Sequence, residues 1–171
     1  MAKPEDTLLI ETSKGPVVIE MRPDLAPNHV ARIKELARQG FYDGVVFHRV
    51  IDGFMAQTGD PTGTGMSGSG KKLKAEFNAE PHTRGAVSMA RLAPGTATAE
   101  FFIVLGDLVS LDAQPGGDGD NAGYAVFGHV ADGMDVVKAI LERPCSNSGE
   151  GVFKGQMIKV PVKVTSVRRA E

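Results

Sequence analysis

The apolar residues of this chain come in short clusters, most of them closed within a few positions by glycine, proline or a polar turn. This punctuation constrains the fold more than any other feature. Glycine and proline supply 31 of the 171 residues, about 18% where about 12% is usual. A chain that turns so often does not build a helical bundle. No apolar run approaches the roughly 18 residues that a membrane-spanning helix needs. The length suits one domain with a sizeable core of its own. The formal charge of −2 argues against nucleic acid or an anionic membrane as partner. Cys145 is the only cysteine, which excludes an internal disulfide and a cysteine-cluster zinc site. The polar start, MAKPED, has no apolar signal region after it, so the expected compartment is the cytoplasm.

The clusters read as strands. Residues 7–11 (TLLIE) and 17–21 (VVIEM) flank Ser13-Lys14-Gly15 and predict a β-hairpin. Further strands are expected at 45–50, 54–58, 86–89, 101–105 and 125–130. The tail alternates apolar and polar residues over 158–167, with Pro161 placing it at an edge or a bulge. Two stretches read as helices. Val30, Ile33, Leu36 and Ala37 fall at helical spacing over 27–39, with Pro27 in the first turn and Gly40 just beyond the end. A second helix is expected over 133–141, with Asp132 as N-cap and Met134, Val137, Ile140 and Leu141 as its apolar stripe. Strands outnumber helices, and the expected fold is mainly β: a closed or nearly closed antiparallel barrel with two covering helices.

Three motifs resemble binding loops and fail on chemistry. GTGMSG (63–68) matches a dinucleotide pattern, but no helix follows to face a pyrophosphate. GMSGSGKK (65–72) approaches a P-loop, but Lys72 stands where a magnesium-binding hydroxyl belongs. DGDNAG (118–123) opens like a calcium loop, then has Ala122 at its fifth position and His129 at its twelfth. The four histidines show no metal-binding spacing, and Cys145 has no neighbour in sequence that marks a nucleophile. No metal and no cofactor are expected.

FHRVIDGFMAQTGD (47–60) breaks the ordinary strand pattern, because His48 and Arg49 stand side by side between apolar residues. Strict alternation puts Phe47, Arg49 and Ile51 on one face and His48, Val50 and Asp52 on the other, unless a bulge intervenes. A cation close to Phe54, Met55 and Gln57 makes a poor core but a good apolar pocket with a directed donor. A snorkelling arginine on a barrel surface fits the same pattern.

With RGAVSMAR (84–91), AEFFIV (99–104) and GYAVFGHV (123–130), that segment resembles the cyclophilin-type peptidyl-prolyl isomerases. SMAR and GYAVFG are similar to the family's bacterial branch. The resemblance covers about 7–167 and implies a closed eight-stranded antiparallel barrel with a helix at each end. It implies a groove on the outer wall in which Arg49 is catalytic. His48, Phe54, Met55 and Gln57 would line pocket and groove, and Ala90 and Arg91 would meet the peptide backbone. Phe102 would form the pocket floor, Leu111 a wall, and Tyr124 would replace a frequent histidine. Three positions depart from the family pattern. Glu100 stands where glutamine is usual, Ser110 where eukaryotic members have tryptophan, and the loop 113–123 is longer and acidic. Glu100, two residues from Phe102 and so on its face, is expected along the groove, within reach of Arg49; the plainer alternative points it to solvent.

Such residues suit a rotation about an X–Pro bond, which needs no nucleophile, metal or proton transfer. The resemblance therefore implies an isomerase acting on proline-containing peptides and folding proteins, as a monomer, with weak cyclosporin binding. Two other readings use the same barrel. A non-catalytic proline-peptide or chaperone module could dispense with Arg49. A carrier of an apolar ligand would need small inward residues, whereas Phe, Met, Ile and Val in the strands suggest a filled interior.

Overall fold

The computed structural model describes residues 3–51, 54–62, 68–74, 76, 80–91, 95–108, 111–112, 124–141, 145–146 and 156–169. The strands are β1 (Thr7–Thr12), β2 (Gly15–Met21), β3 (Val46–Ile51), β4 (Met55–Thr58), β5 (Ala86–Met89), β6 (Phe101–Val104), β7 (Val126–Asp132), β8 (Cys145–Ser146) and β9 (Met157–Arg169). The helices are α1 (Pro27–Arg38) and α2 (Met134–Leu141), after a short 3-10 turn at Pro4–Asp6. Eight strands close into an antiparallel ring in the order β1-β2-β7-β5-β6-β4-β3-β9, and β9 returns to β1. The two-residue β8 attaches outside the ring, on β9.

Sequence explains most of these elements directly. β1 and β2 pair in register from Thr7↔Glu20 to Thr12↔Gly15. Gly15 takes a φ of +129°, which a side chain would strain. Val30, Ile33, Leu36 and Ala37 of α1 are all buried, and Gly40 leaves the helix at φ +71°. Pro161 lies between Met157 and Val162, where the pairing of β9 with β3 shifts register, so the bulge is the correct alternative. The expected cap of α2 needs correction. Asp132 ends β7, and Gly133 takes the cap position, its carbonyl accepting from the N–H of Val136 and Val137. The Asp132 carboxylate accepts from the Gly133 N–H instead.

The ring is packed with side chains. Leu8, Ile10, Ile19, Phe47, Phe101, Ile103 and Phe127 are each 1% exposed or less and belong to one apolar cluster. Residues of both helices, among them Ile33 and Leu36 of α1 and Val137 and Ile140 of α2, join it. Among the described residues these side chains fill the interior that a carrier barrel would leave open for a ligand. A second apolar cluster gathers Met55, Ala86, Phe102, Val104 and Val126. Along β6 the residues alternate between the two, Phe101 and Ile103 in the first, Phe102 and Val104 in the second. The second cluster therefore lies on the outer wall.

Candidate active site

The strand register assembles the site. Arg49 of β3 pairs with Gln57 of β4, Gln57 with Phe102 of β6, and Phe102 with Ser88 of β5. One row of residues thus crosses four neighbouring strands, at about 4.8 Å per step. Ile51 and Met55 pair two positions along the β3–β4 ladder and join the outer cluster. Arg49 reaches this wall because β3 does not alternate strictly. Phe47 pairs with Val162 of β9 while Arg49 pairs with Met157, so β9 inserts extra residues opposite His48. Phe47 and Val50 both enter the interior cluster, leaving Arg49 and Ile51 on the other side. The bulge replaces the strict alternation expected for this strand.

Two amide oxygens hold the guanidinium. Arg49 Nε donates to Gln156 Oε1 at 2.8 Å, and Nη1 donates to Gln57 Oε1 at 3.2 Å. The Gln156 carbonyl also accepts from the Val50 N–H, fixing the backbone beside the arginine. Gln57 Nε2 donates to Glu100 Oε2 at 2.6 Å. Burial pulls the arginine's pKa below its ordinary value, while Glu100 and Tyr124 pull it back; a guanidinium stays charged under such shifts. Burial pushes the Glu100 carboxyl up to about 7, aided by Asp60 and opposed by the Gln57 hydrogen bond and by Arg49. Glu100 thus turns inward to the groove network, not to solvent. Its approach depends on Gly59, where an added Cβ would lie 2.7 Å from the Ala99 carbonyl oxygen.

Beside this polar row lies an apolar recess. Met55 and Phe102 form its buried part, with Phe54, Ala90, Leu111 and Tyr124 partly buried around them. Phe102 is wedged between two rings. His82 stacks on it at 6.2 Å and 16°, and Tyr124 meets it edge-on at 5.8 Å. Arg91 sits 4.4 Å above the Tyr124 ring, a cation–π contact at the rim. Ala90 donates its N–H to the Glu100 carbonyl. His82 is held through Nδ1 by Asp112 at 2.8 Å and through Nε2 by Ser88 at 3.0 Å. This has the hydrogen-bond order of a hydrolytic triad, but Ser88 is 0% exposed. No substrate carbonyl reaches its hydroxyl, so the triad serves to hold Phe102 and the 111–112 segment in place. Burial pulls the His82 pKa down, and Asp112 pulls it up.

Arg49, Met55, Gln57, Glu100 and Phe102 meet on this wall, with Phe54, Ala90, Arg91, Leu111 and Tyr124 around them. His48 is the most buried of the candidates, at 1% exposure, and offers no surface to a peptide. Burial pulls its pKa down against the attraction of Asp60. Ser110, the loop 113–123 and most of the glycine loop, 63–67, lie outside the described residues. The sequence reading missed Gln156, His82, Ser88 and Asp112 as supports of the site. Ser88 lies inside a quoted motif, but Gln156 is 107 positions from Arg49 and carries no local signal. Among the described residues, no three His, Cys, Asp or Glu side chains gather into a metal site.

Comparison with known proteins places these features. The family model described as cyclophilin type peptidyl-prolyl cis-trans isomerase matches residues 7–169. A probable peptidyl-prolyl cis-trans isomerase of Brucella suis is 42% identical over 95% of this chain and 85% of its own. A peptidyl-prolyl cis-trans isomerase of Arabidopsis thaliana is 36% identical over 94% and 98%. The higher identity to the Brucella protein accords with the bacterial branch. Among solved structures, a cyclophilin type isomerase of Cryptosporidium parvum, crystallised in the presence of the dipeptide Ala-Pro, superposes with a TM-score of 0.83. It is 25% identical, with 96% of this chain and 99% of that one covered.

Proposed function

This chain belongs to the cyclophilin-type family of peptidyl-prolyl cis-trans isomerases, and from that premise we propose that Arg49 carries the rotation it catalyses. The barrier to X–Pro rotation is amide resonance, about 18–20 kcal/mol. Rotation returns a lone pair to the proline nitrogen, and that pair exists only near the twisted state. A fixed guanidinium aimed at it binds the transition state better than either planar isomer. The observation that supports this reading is the double anchoring of Arg49 by Gln57 and Gln156 beside an apolar recess. Met55 and Phe102, with Phe54 and Leu111 at the edge, suit a proline ring. Gln57, Ala90 and Arg91 suit the flanking peptide groups. An apolar wall also disfavours the charge-separated planar amide.

The decisive measurement is cis–trans exchange of a short X–Pro peptide by NMR. Arg49→Ala should lower kcat/KM by about 100-fold or more. Arg49→Lys should be slow as well, because a point charge replaces a planar fork. A folded Arg49→Ala protein with near-normal exchange would refute the mechanism.

We further propose proline-containing segments of folding proteins as substrates, a chaperone-like contribution to folding, a monomer, the cytoplasm as compartment, and residues 1–171 as one domain with its core at about 7–167. No helix among the described residues is long and apolar enough to cross a membrane. Cyclosporin should bind weakly, because Ser110 offers little area where eukaryotic relatives would present an indole. Titration calorimetry should show tighter binding by Ser110→Trp than by the natural chain; equal affinities would contradict this.

A further inference from the structure

The polar row offers an arrangement that the rotation itself does not require. Glu100 touches Gln57, Gln57 touches Arg49, and the two contacts use opposite ends of one amide. An amide has a donor end and an acceptor end, and only one orientation suits both neighbours. An ionised carboxylate only accepts, so it demands the NH2 of Gln57 and turns the oxygen toward Arg49. A neutral carboxyl carries a hydroxyl that donates, and it meets the Gln57 oxygen equally well. The flipped amide then presents N–H to a guanidinium that has no acceptor.

We propose that Glu100 is a positioning residue for Arg49, and that its ionised form sets the Gln57 amide so that the guanidinium is held in its working orientation. The proposal rests on Arg49 as the catalytic group. It adds a proton-controlled element to a reaction that moves no proton. The carboxyl is placed to titrate in the neutral range, because burial pushes it up to about 7. The charged groups that face it are Asp60, which resists its ionisation, and Arg49, which favours it. His48, which Asp60 attracts, and His82, stacked on Phe102, are further titratable groups of this region, both with pKa values that burial pulls down. A variant at position 100 is therefore needed to separate Glu100 from them. Glutamine there keeps an acceptor for Gln57 Nε2 and loses the titration.

The experiment is NMR exchange on one uncharged X–Pro peptide, without a coupling protease, between pH 5.5 and pH 8. For the natural chain, kcat/KM should rise about fivefold across this range. Glu100→Gln should remove most of that rise. Glu100→Leu, which provides no acceptor, should lower kcat more than it raises KM at every pH, and the glutamine variant should restore part of the loss. A backbone NMR spectrum confirms the fold of each variant. The same inflection in Glu100→Gln as in the natural chain, or activity that falls with rising pH, would overturn the proposal. Arg49→Ala in the same series separates the two readings. If it is inactive while Glu100→Gln keeps the natural profile, only the role of Glu100 falls; if it keeps natural activity, the Arg49 mechanism itself falls.

Discussion

At the residue scale, the site depends on how few freedoms its arginine keeps. An arginine side chain at a half-buried position loses about 2 kcal/mol of rotamer entropy when it is fixed. Here that cost is met before substrate arrives, because Gln156 and Gln57 hold Nε and Nη1. Gln156→Ala removes one anchor without touching the recess. Its kcat should fall about tenfold while KM changes little, since misaimed donors harm the transition state more than the bound peptide. Exchange kinetics at several peptide concentrations measure the split; a change confined to KM would show that Gln156 acts on binding instead.

At the element scale, α1 shows a helix whose start is completed from far away in sequence. Ala26, at its N-cap position, makes no side-chain hydrogen bond. Glu76 accepts from the backbone N–H of Asn28 at 3.0 Å and of His29 at 2.6 Å, and its Oε1 also meets the His29 ring. Burial pushes the Glu76 pKa up, but these hydrogen bonds overcome it and hold the carboxyl below its ordinary value of 4.5. A depressed carboxyl stabilises the fold above its unfolded pKa and loses that contribution as pH falls through the folded value. Glu76→Ala should cost about 1–2 kcal/mol near neutrality. The difference from the natural chain should shrink in denaturant titrations below pH 4.5. A difference that stays constant into strong acid would mean that packing, not charge, explains the loss.

At the scale of the whole molecule, the barrel separates stability from binding across the thickness of one strand. Ile103 belongs to the interior cluster and Phe102 to the outer one, although they are adjacent in β6. Ile103→Ala should cost about 2–5 kcal/mol through a cavity in a closed interior. Its effect on activity should follow the folded fraction alone. Phe102→Ala should cost less, because its neighbours can close over the outer wall, and should instead raise KM through loss of the recess. Chemical denaturation and exchange kinetics on the two proteins decide this; equal losses of stability would show that the wall is as tightly built as the core.

Local information was enough for the eight barrel strands and the two helices, though not for the short 3-10 turn or β8. The period of two in 158–167, the helical spacing of Val30 to Ala37 and the glycines at hairpin and helix ends are properties of neighbouring residues, and physical chemistry reads them without a fold. The pattern of elements already suggested a barrel, and the resemblance carried by the segments around Arg49, Ser88, Phe102 and Tyr124 supplied its strand count and most of the candidate site. Register was another matter. The bulge opposite His48 depends on pairing with β9, more than 100 positions away, and it accompanies the break in alternation that leaves Phe47 inside and Arg49 outside. Gln156, the Glu76 cap and the Ser88–His82–Asp112 support are likewise contacts between distant segments. A polar side chain carries no mark of the partner it will meet, because a hydrogen bond is set by a few ångströms and an angle that only the closed barrel fixes. The sequence therefore determined which residue types were present for the chemistry, and the tertiary structure decided which of them hold the arginine.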